Sequence, residues 1–167
     1  MAAFTLRVAG PEDEAAVTAL TQASYRTLMP AAYDRDLLVK VLPIICKANP
    51  ALLASTTYFL AVTAEGDVIG SGGWSREQPG TLKIQTGAGH IRHFATHPDW
   101  TRRGVGRAIH ERCAREARAA GLDRFECYAS LNAVDFYERL GFKEVRPVDL
   151  PMGGSVAMPA LMMERDL

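Results

Sequence analysis

The run Thr101-Arg102-Arg103-Gly104-Val105-Gly106-Arg107 sets three guanidiniums and two glycines where a strand-like segment gives way to a long helical pattern. The first amides of a helix have no intrahelical acceptor, and the helix dipole is positive at that end, so the site favours an anion. Phosphate binding is the chemistry this spacing predicts. Two familiar phosphate loops do not fit. A Walker A loop needs lysine and then serine or threonine after its second glycine, where this chain has Arg107-Ala108. A dinucleotide fingerprint needs a third glycine at Ile109 and an acidic residue at the end of the next strand, and neither is present. What remains is a turn whose backbone amides bind pyrophosphate without metal or catalytic lysine, set against a plain strand-to-helix turn with surface arginines.

Other reactive side chains form weaker patterns. His90, His93 and His97 lie close together with His110 nearby, but on a regular strand positions 90 and 93 face opposite sides, and nothing completes a tetrahedral set. No metal is expected. Cys46, Cys113 and Cys127 are odd in number, lack paired short spacings and sit in apolar stretches, which predicts structural thiols and a reducing cytoplasm.

The elements that must position the turn follow from periodicity. Phe4 to Val8 alternates as a strand, and a helix runs to about Leu28 with Ala16, Leu20, Ala23 and Thr27 on one stripe and Val17, Ser24 and Leu28 beside it. Arg35 to Lys47 is a second helical stretch that Pro43 can kink or split. Thr57 to Ala64 and Val68 to Trp74 read as a hairpin around Glu65-Gly66-Asp67. Gly70, Gly72 and Gly73 weaken its second strand and imply that something approaches the backbone there. After a polar loop from Arg76 to Gly89, His90 to Thr96 is a strand and Gly104 to Ala120 a helix with Val105, Ile109, Cys113, Ala117 and Ala120 as its apolar stripe. Phe125 to Ala129 is a strand, Asn132 to Leu140 a short helix, and Phe142 to Val148 and Ala160 to Glu164 are closing strands around a Pro/Gly-rich connection. Strands and helices alternate late and a hairpin sits in the middle, so the fold class is α/β with a mixed central sheet and helices on both faces. No internal repeat or linker divides residues 1–167, which suit one domain.

Thr101 to Gly106 after His97-Pro98, followed by Ser130-Leu131-Asn132-Ala133-Val134-Asp135-Phe136-Tyr137-Glu138-Arg139-Leu140-Gly141-Phe142, resembles the GNAT superfamily of N-acetyltransferases. The resemblance is strongest over residues 90–145, and Thr101 departs from it where the family often has glutamine or arginine. It implies acetyl-CoA held between two splayed parallel strands, His90 to Thr96 and Phe125 to Ala129, and an amine acceptor that attacks directly in a ternary complex. The cofactor-binding set it implies is Phe94, Thr96, Arg102, Arg103, Gly104, Val105, Gly106, Arg107, Asn132 and Tyr137. Amides of Arg103, Gly104, Gly106 and Arg107 would take pyrophosphate, the Thr96 backbone and Asn132 the pantetheine arm, and Phe94 N–H the acetyl carbonyl. The resemblance gives Tyr137 as the general acid for the departing thiolate, and puts His90 where some relatives carry a catalytic carboxylate, with His93 and Glu77 as fallback bases. Asn132 could instead cap its own helix, and Tyr137 could be a packed core tyrosine. Tyr25, Tyr33 and Trp74 are candidates for the acceptor wall or for the core.

Composition limits the alternatives. Nineteen basic and nineteen acidic side chains leave no global field for nucleic acid or an anionic membrane, although six arginines face only two glutamates between positions 102 and 118. No apolar run reaches membrane-spanning length, and the N-terminus MAAFTLRVAGPEDE lacks a basic region followed by an apolar core, so no export or anchoring is expected. The alternative from another class is a non-catalytic acyl-CoA binding or sensing module on the same fold. The acceptor is not legible, and although the resemblance is compatible with a homodimer, no residue decides it.

Overall fold

Along the chain, strand β1 (Phe4–Val8) turns into helix α1 (Glu14–Leu28), followed by α2 (Arg35–Ile45), the single turn α3 (Pro50–Leu53), and strands β2 (Tyr58–Thr63), β3 (Val68–Ser75) and β4 (Ala88–Thr96). The second half is α4 (Val105–Ala119), β5 (Arg124–Ser130), α5 (Val134–Arg139), β6 (Lys143–Pro151) and β7 (Ala157–Asp166). The computed structural model describes residues 3–167; Met1 and Ala2, the start of the N-terminal stretch discussed above, lie outside the described residues. The strands form one seven-stranded sheet in the order β1-β2-β3-β4-β5-β7-β6, antiparallel except where β4 meets β5. This is the expected mixed sheet.

Alternation along β2 assigns the faces. Phe59 and Ala61 join the cluster built on Val105, Ile109, Cys113 and Ala117 of α4, while Tyr58 and Leu60 pack with Val17 of α1 and with Leu52 and Leu53 of α3. Helices α4 and α5 therefore cover one face, and α1 and α2 the other. The β3 glycines are explained by close approaches, and the strand forms in spite of them. A Cβ on Gly70 would lie 2.3 Å from Val105 Cγ1, and one on Gly73 2.4 Å from the Thr57 carbonyl. Removing the side chain lets α4 seat directly on the sheet.

Several elements differ from expectation. The buried residues of α1 are Val17, Leu20, Thr21 and Ser24, so the buried face centres on the Val17 and Ser24 side of the anticipated stripe and takes in Thr21, whose hydroxyl is shared between carbonyls of its own helix and Cys46 O. Pro43 stays inside an unbroken α2, and α3 is an added turn that Asn49 caps and Pro50 opens. Ala120 at the end of α4 is exposed, since the C-terminal turn has already left the sheet. Strands β6 and β7 extend further than their apolar runs, meeting in a hairpin around Met152–Val156, and Pro147 is accommodated because β6 is an edge strand.

Candidate active site

Strands β4 and β5 pair in register only at Ala88–Arg124, Gly89–Phe125 and His90–Glu126. Beyond His90 no β5 residue stands opposite Ile91–Thr96, so the two parallel strands part and leave an opening in the middle of the sheet. The other edge of β4 is irregular at the same level. Gly73 pairs with Arg92 and Ser71 with Ala95, so His93 and Phe94 together oppose Gly72, a bulge in which His93 has φ +50°. Gly72 makes room for it, since a Cβ there would meet the Phe94 ring at 2.5 Å. The bulge turns His93 towards α1 and α2, with its Nε2 2.8 Å from Ile45 O, so His90 and His93 do not face opposite sides as a regular strand would dictate.

The turn before α4 stands at the mouth of this opening. Arg102 has φ +60° and Gly104 φ +80°, and left-handed residues alternating with an ordinary one turn successive amides into a concave nest that suits an anion. The first helical bond runs from Ala108 N to Gly104 O, and among the described residues no backbone carbonyl accepts from the N–H of residues 102–107. A Cβ on Gly104 would meet nothing within 4 Å, whereas one on Gly106 would strike Phe136 at 2.7 Å. The two glycines thus have different tasks: Gly104 supplies the turn beside open space, and Gly106 lets α5 close over the first turn of α4. Arg102, Arg103 and Arg107 are exposed with no carboxylate within 4.0 Å among the described residues, and Arg103 lies 4.9 Å above the Trp100 ring.

Inside the opening the remaining residues converge from β4, β5 and α5. Phe94 and Tyr137 meet edge to face at 6.3 Å, Thr96 stays in register with Gly70, and Val105 is buried under the turn. Tyr137 packs between Phe136 and Phe142, with its hydroxyl near the Cys127 thiol. Burial holds that phenol well above its ordinary range, so it stays protonated, and burial pushes Cys127 up to about 12 despite the hydroxyl beside it. Cys113, also buried, is pushed up too; neither thiol is a nucleophile. Asn132 lies in a short turn, Leu131–Ala133, and does not cap α5; its Oδ1 is buried without a partner. An orphaned acceptor beside the strand opening fits a ligand that brings an N–H or O–H.

On the α1–α2 face, His90 is 3% exposed, with Nδ1 3.5 Å from Glu126 Oε2 and an enclosed Nε2 that has no partner. Burial, with Arg92 and Arg124 nearby, lowers its pKa to about 4, against a weak opposing pull from Glu77. It is therefore neutral at neutral pH, and at 3.5 Å the carboxylate is a polar neighbour at the outer limit of hydrogen bonding rather than an ion-pair partner. Glu126 was not anticipated; a carboxylate at an interior position of the strand Phe125 to Ala129 was the available signal. Tyr25, Tyr33 and Trp74 belong to the frame. Tyr25 donates to Phe94 O, Tyr33 donates to Pro159 O and accepts from Leu131 N, and Trp74 packs against Phe125. Among the described residues no group of three or more His, Cys, Asp or Glu gathers as a metal site, and no helix is long and apolar enough to cross a membrane. A hollow of about 450 Å³ beside Ala16, Leu20, Val68, His97 and Trp100 is separate from the opening and gathers no reactive constellation.

A family model described as an acetyltransferase (GNAT) domain matches residues 45–155, more than half of the chain. The fold is that of a GCN5-related N-acetyltransferase from Rhodopseudomonas palustris, with TM-score 0.78 at 23% identity over 100% of this chain and 98% of that one. It is also that of PaiA N-acetyltransferase from Thermoplasma acidophilum, solved with coenzyme A, with TM-score 0.73 at 15% identity over 100% of both chains. The ribosomal-protein-S18-alanine N-acetyltransferase from Escherichia coli gives TM-score 0.63 at 18% identity over 98% of this chain and 93% of that one. None of the curated proteins matches the chain in sequence.

Proposed function

From the premise that this chain belongs to the GNAT acetyltransferase domain family, we propose that it is an N-acetyltransferase, a single domain over residues 1–167 that transfers the acetyl group of acetyl-CoA to a primary amine by direct attack. The observation that carries this reading is the parting of β4 and β5 after three register pairs, with the free amides of residues 102–107 at the mouth of the opening. CoA fits those groups: pyrophosphate in the nest with Arg102, Arg103 and Arg107 beside it, and the amide-bearing arm along Phe94 to Thr96 with Asn132 Oδ1 as an acceptor. Phe94 N–H would donate to the acyl oxygen, where negative charge grows as the amine adds. As the C–S bond breaks, the protonated Tyr137 hydroxyl would give its proton to the departing sulfur and recover one from solvent.

The acceptor enters from the α1–α2 face and must arrive without its ammonium proton. A lysine-like amine has an ordinary pKa of about 10.4. Neutral His90, with Glu126 beside Nδ1, is the group on that face that would take the proton, directly or through water. The reading is tested by following thiol release from acetyl-CoA across a panel of small amines and peptides. Amine-dependent release supports it, and CoA binding with no release for any amine would favour the non-catalytic sensing module.

A further inference from the structure

The β4 bulge is held by side chains that the transfer chemistry described above does not use. Tyr58 Oη, carried by β2, reaches across β3 and donates to His93 O at 2.8 Å while lying 3.1 Å from Ser71 Oγ. Tyr25 Oη, from α1, donates to Phe94 O at 2.8 Å. His93, whose positive φ is unfavourable for a side-chain-bearing residue, is held by its Nε2 donating to Ile45 O. Three part-buried bonds that tie β4 to β2, α1 and α2 thus fix two consecutive peptide groups and the side chain between them.

The geometry of one peptide makes this more than scaffolding. The 93–94 peptide is planar and trans, so Phe94 N–H points opposite to His93 O. Tyr58 pulls that oxygen towards β2, which directs the Phe94 N–H to the other side of β4, where β5 departs. A hydrogen bond accepted by an amide oxygen also polarises the N–H of the same amide, because linked hydrogen bonds strengthen one another. We infer that Tyr58 is a positioning residue for acyl transfer: through the chain Tyr58 O–H, His93 C=O and Phe94 N–H it aims and strengthens the donor that meets the acyl oxygen. Tyr25 supports it by fixing the peptide that follows. The inference rests on the reading in which Phe94 N–H meets that oxygen.

Isotope-edited infrared spectroscopy of the enzyme with acetyl-CoA labelled at the acetyl carbonyl carbon, without acceptor, separates the two. In the parent the carbonyl band falls below that of free acetyl-CoA. In Tyr58→Phe much of that shift is lost and kcat drops about tenfold, below the 10²–10³-fold typical of removing a donor outright. Affinity for CoA itself stays within about twofold. In Tyr25→Phe the same changes appear at smaller size, and this variant decides the matter if Tyr58→Phe does not fold. A shifted parent band that both variants retain in full, whatever their stability, overturns the inference. A parent band equal to that of free acetyl-CoA overturns instead the assignment of Phe94 as donor.

Discussion

The turn at residues 102–107 and the bulge at residues 92–94 both offer backbone N–H groups to a ligand, and they are built in opposite ways. The turn is local: six consecutive residues, two left-handed backbones, exposed arginines and open space above Gly104. The bulge is assembled from a distance, its bonds coming from residues 35, 48 and 69 positions away in the chain. An exposed, contiguous anion site suits a long phosphate-bearing ligand that must enter and leave. A half-buried site cross-braced by three elements suits a donor whose direction must stay fixed while charge develops.

The sharpest way to break this contrast is at the bulge side of the opening. Tyr137→Phe keeps the ring between Phe94, Phe136 and Phe142 and removes only the hydroxyl. Turnover is expected to fall about 10²–10⁴-fold with a good acceptor, while CoA affinity measured by calorimetry is unchanged. Full turnover with chemistry rate-limiting reduces Tyr137 to packing. Stability should change by no more than about 1 kcal/mol, because the ring and its packing are kept.

Next in size is an acid effect that compares two buried histidines. His90 and His110 both have pKa values lowered to about 4, mainly by burial, against about 6.5 in an unfolded chain. Between those values the unfolded chain binds more protons, so stability is full above about pH 6.5 and is lost as pH falls towards 4. His110→Leu should flatten that loss by about 1–3 kcal/mol in urea titrations and leave turnover alone. His90→Gln should flatten it too, and also lower turnover about tenfold near neutral pH, with recovery as rising pH deprotonates the amine. Equal turnover in the two variants removes His90 from the chemistry.

The smallest effect belongs to the turn. Arg102→Gln with Arg107→Gln should weaken CoA binding several-fold at low salt and converge on the parent at high salt, because exposed charges are screened. A loss independent of salt would mean that the arginines shape the turn rather than attract phosphate.

The same contrast explains what the sequence made legible. The helix start could be read because Gly104 and the arginines lie side by side, and Asn132 and Tyr137 came with a contiguous helix motif. The bulge could not. Alternation put His93 on the wrong face, because a one-residue insertion in a ladder is set by the partner strand, here by Gly72 under the Phe94 ring. Tyr25 could be read as acceptor wall or as core and Tyr58 drew no reading of its own, because the value of both lies in the carbonyls they reach. Gly106 looked like a phosphate glycine, and its contact with Phe136 depends on how α5 folds back over α4.

The proposed transfer requires one ligand to span both regions, from the turn to the bulge, through the gap between β4 and β5. Amide NMR of the labelled protein titrated with acetyl-CoA tests it most directly. The largest shifts are expected to fall together on residues 103–107 and on 94–96, with Cys127 and Asn132 next. Shifts confined to the arginine turn, or centred on the hollow beside Leu20 and Trp100, would contradict it.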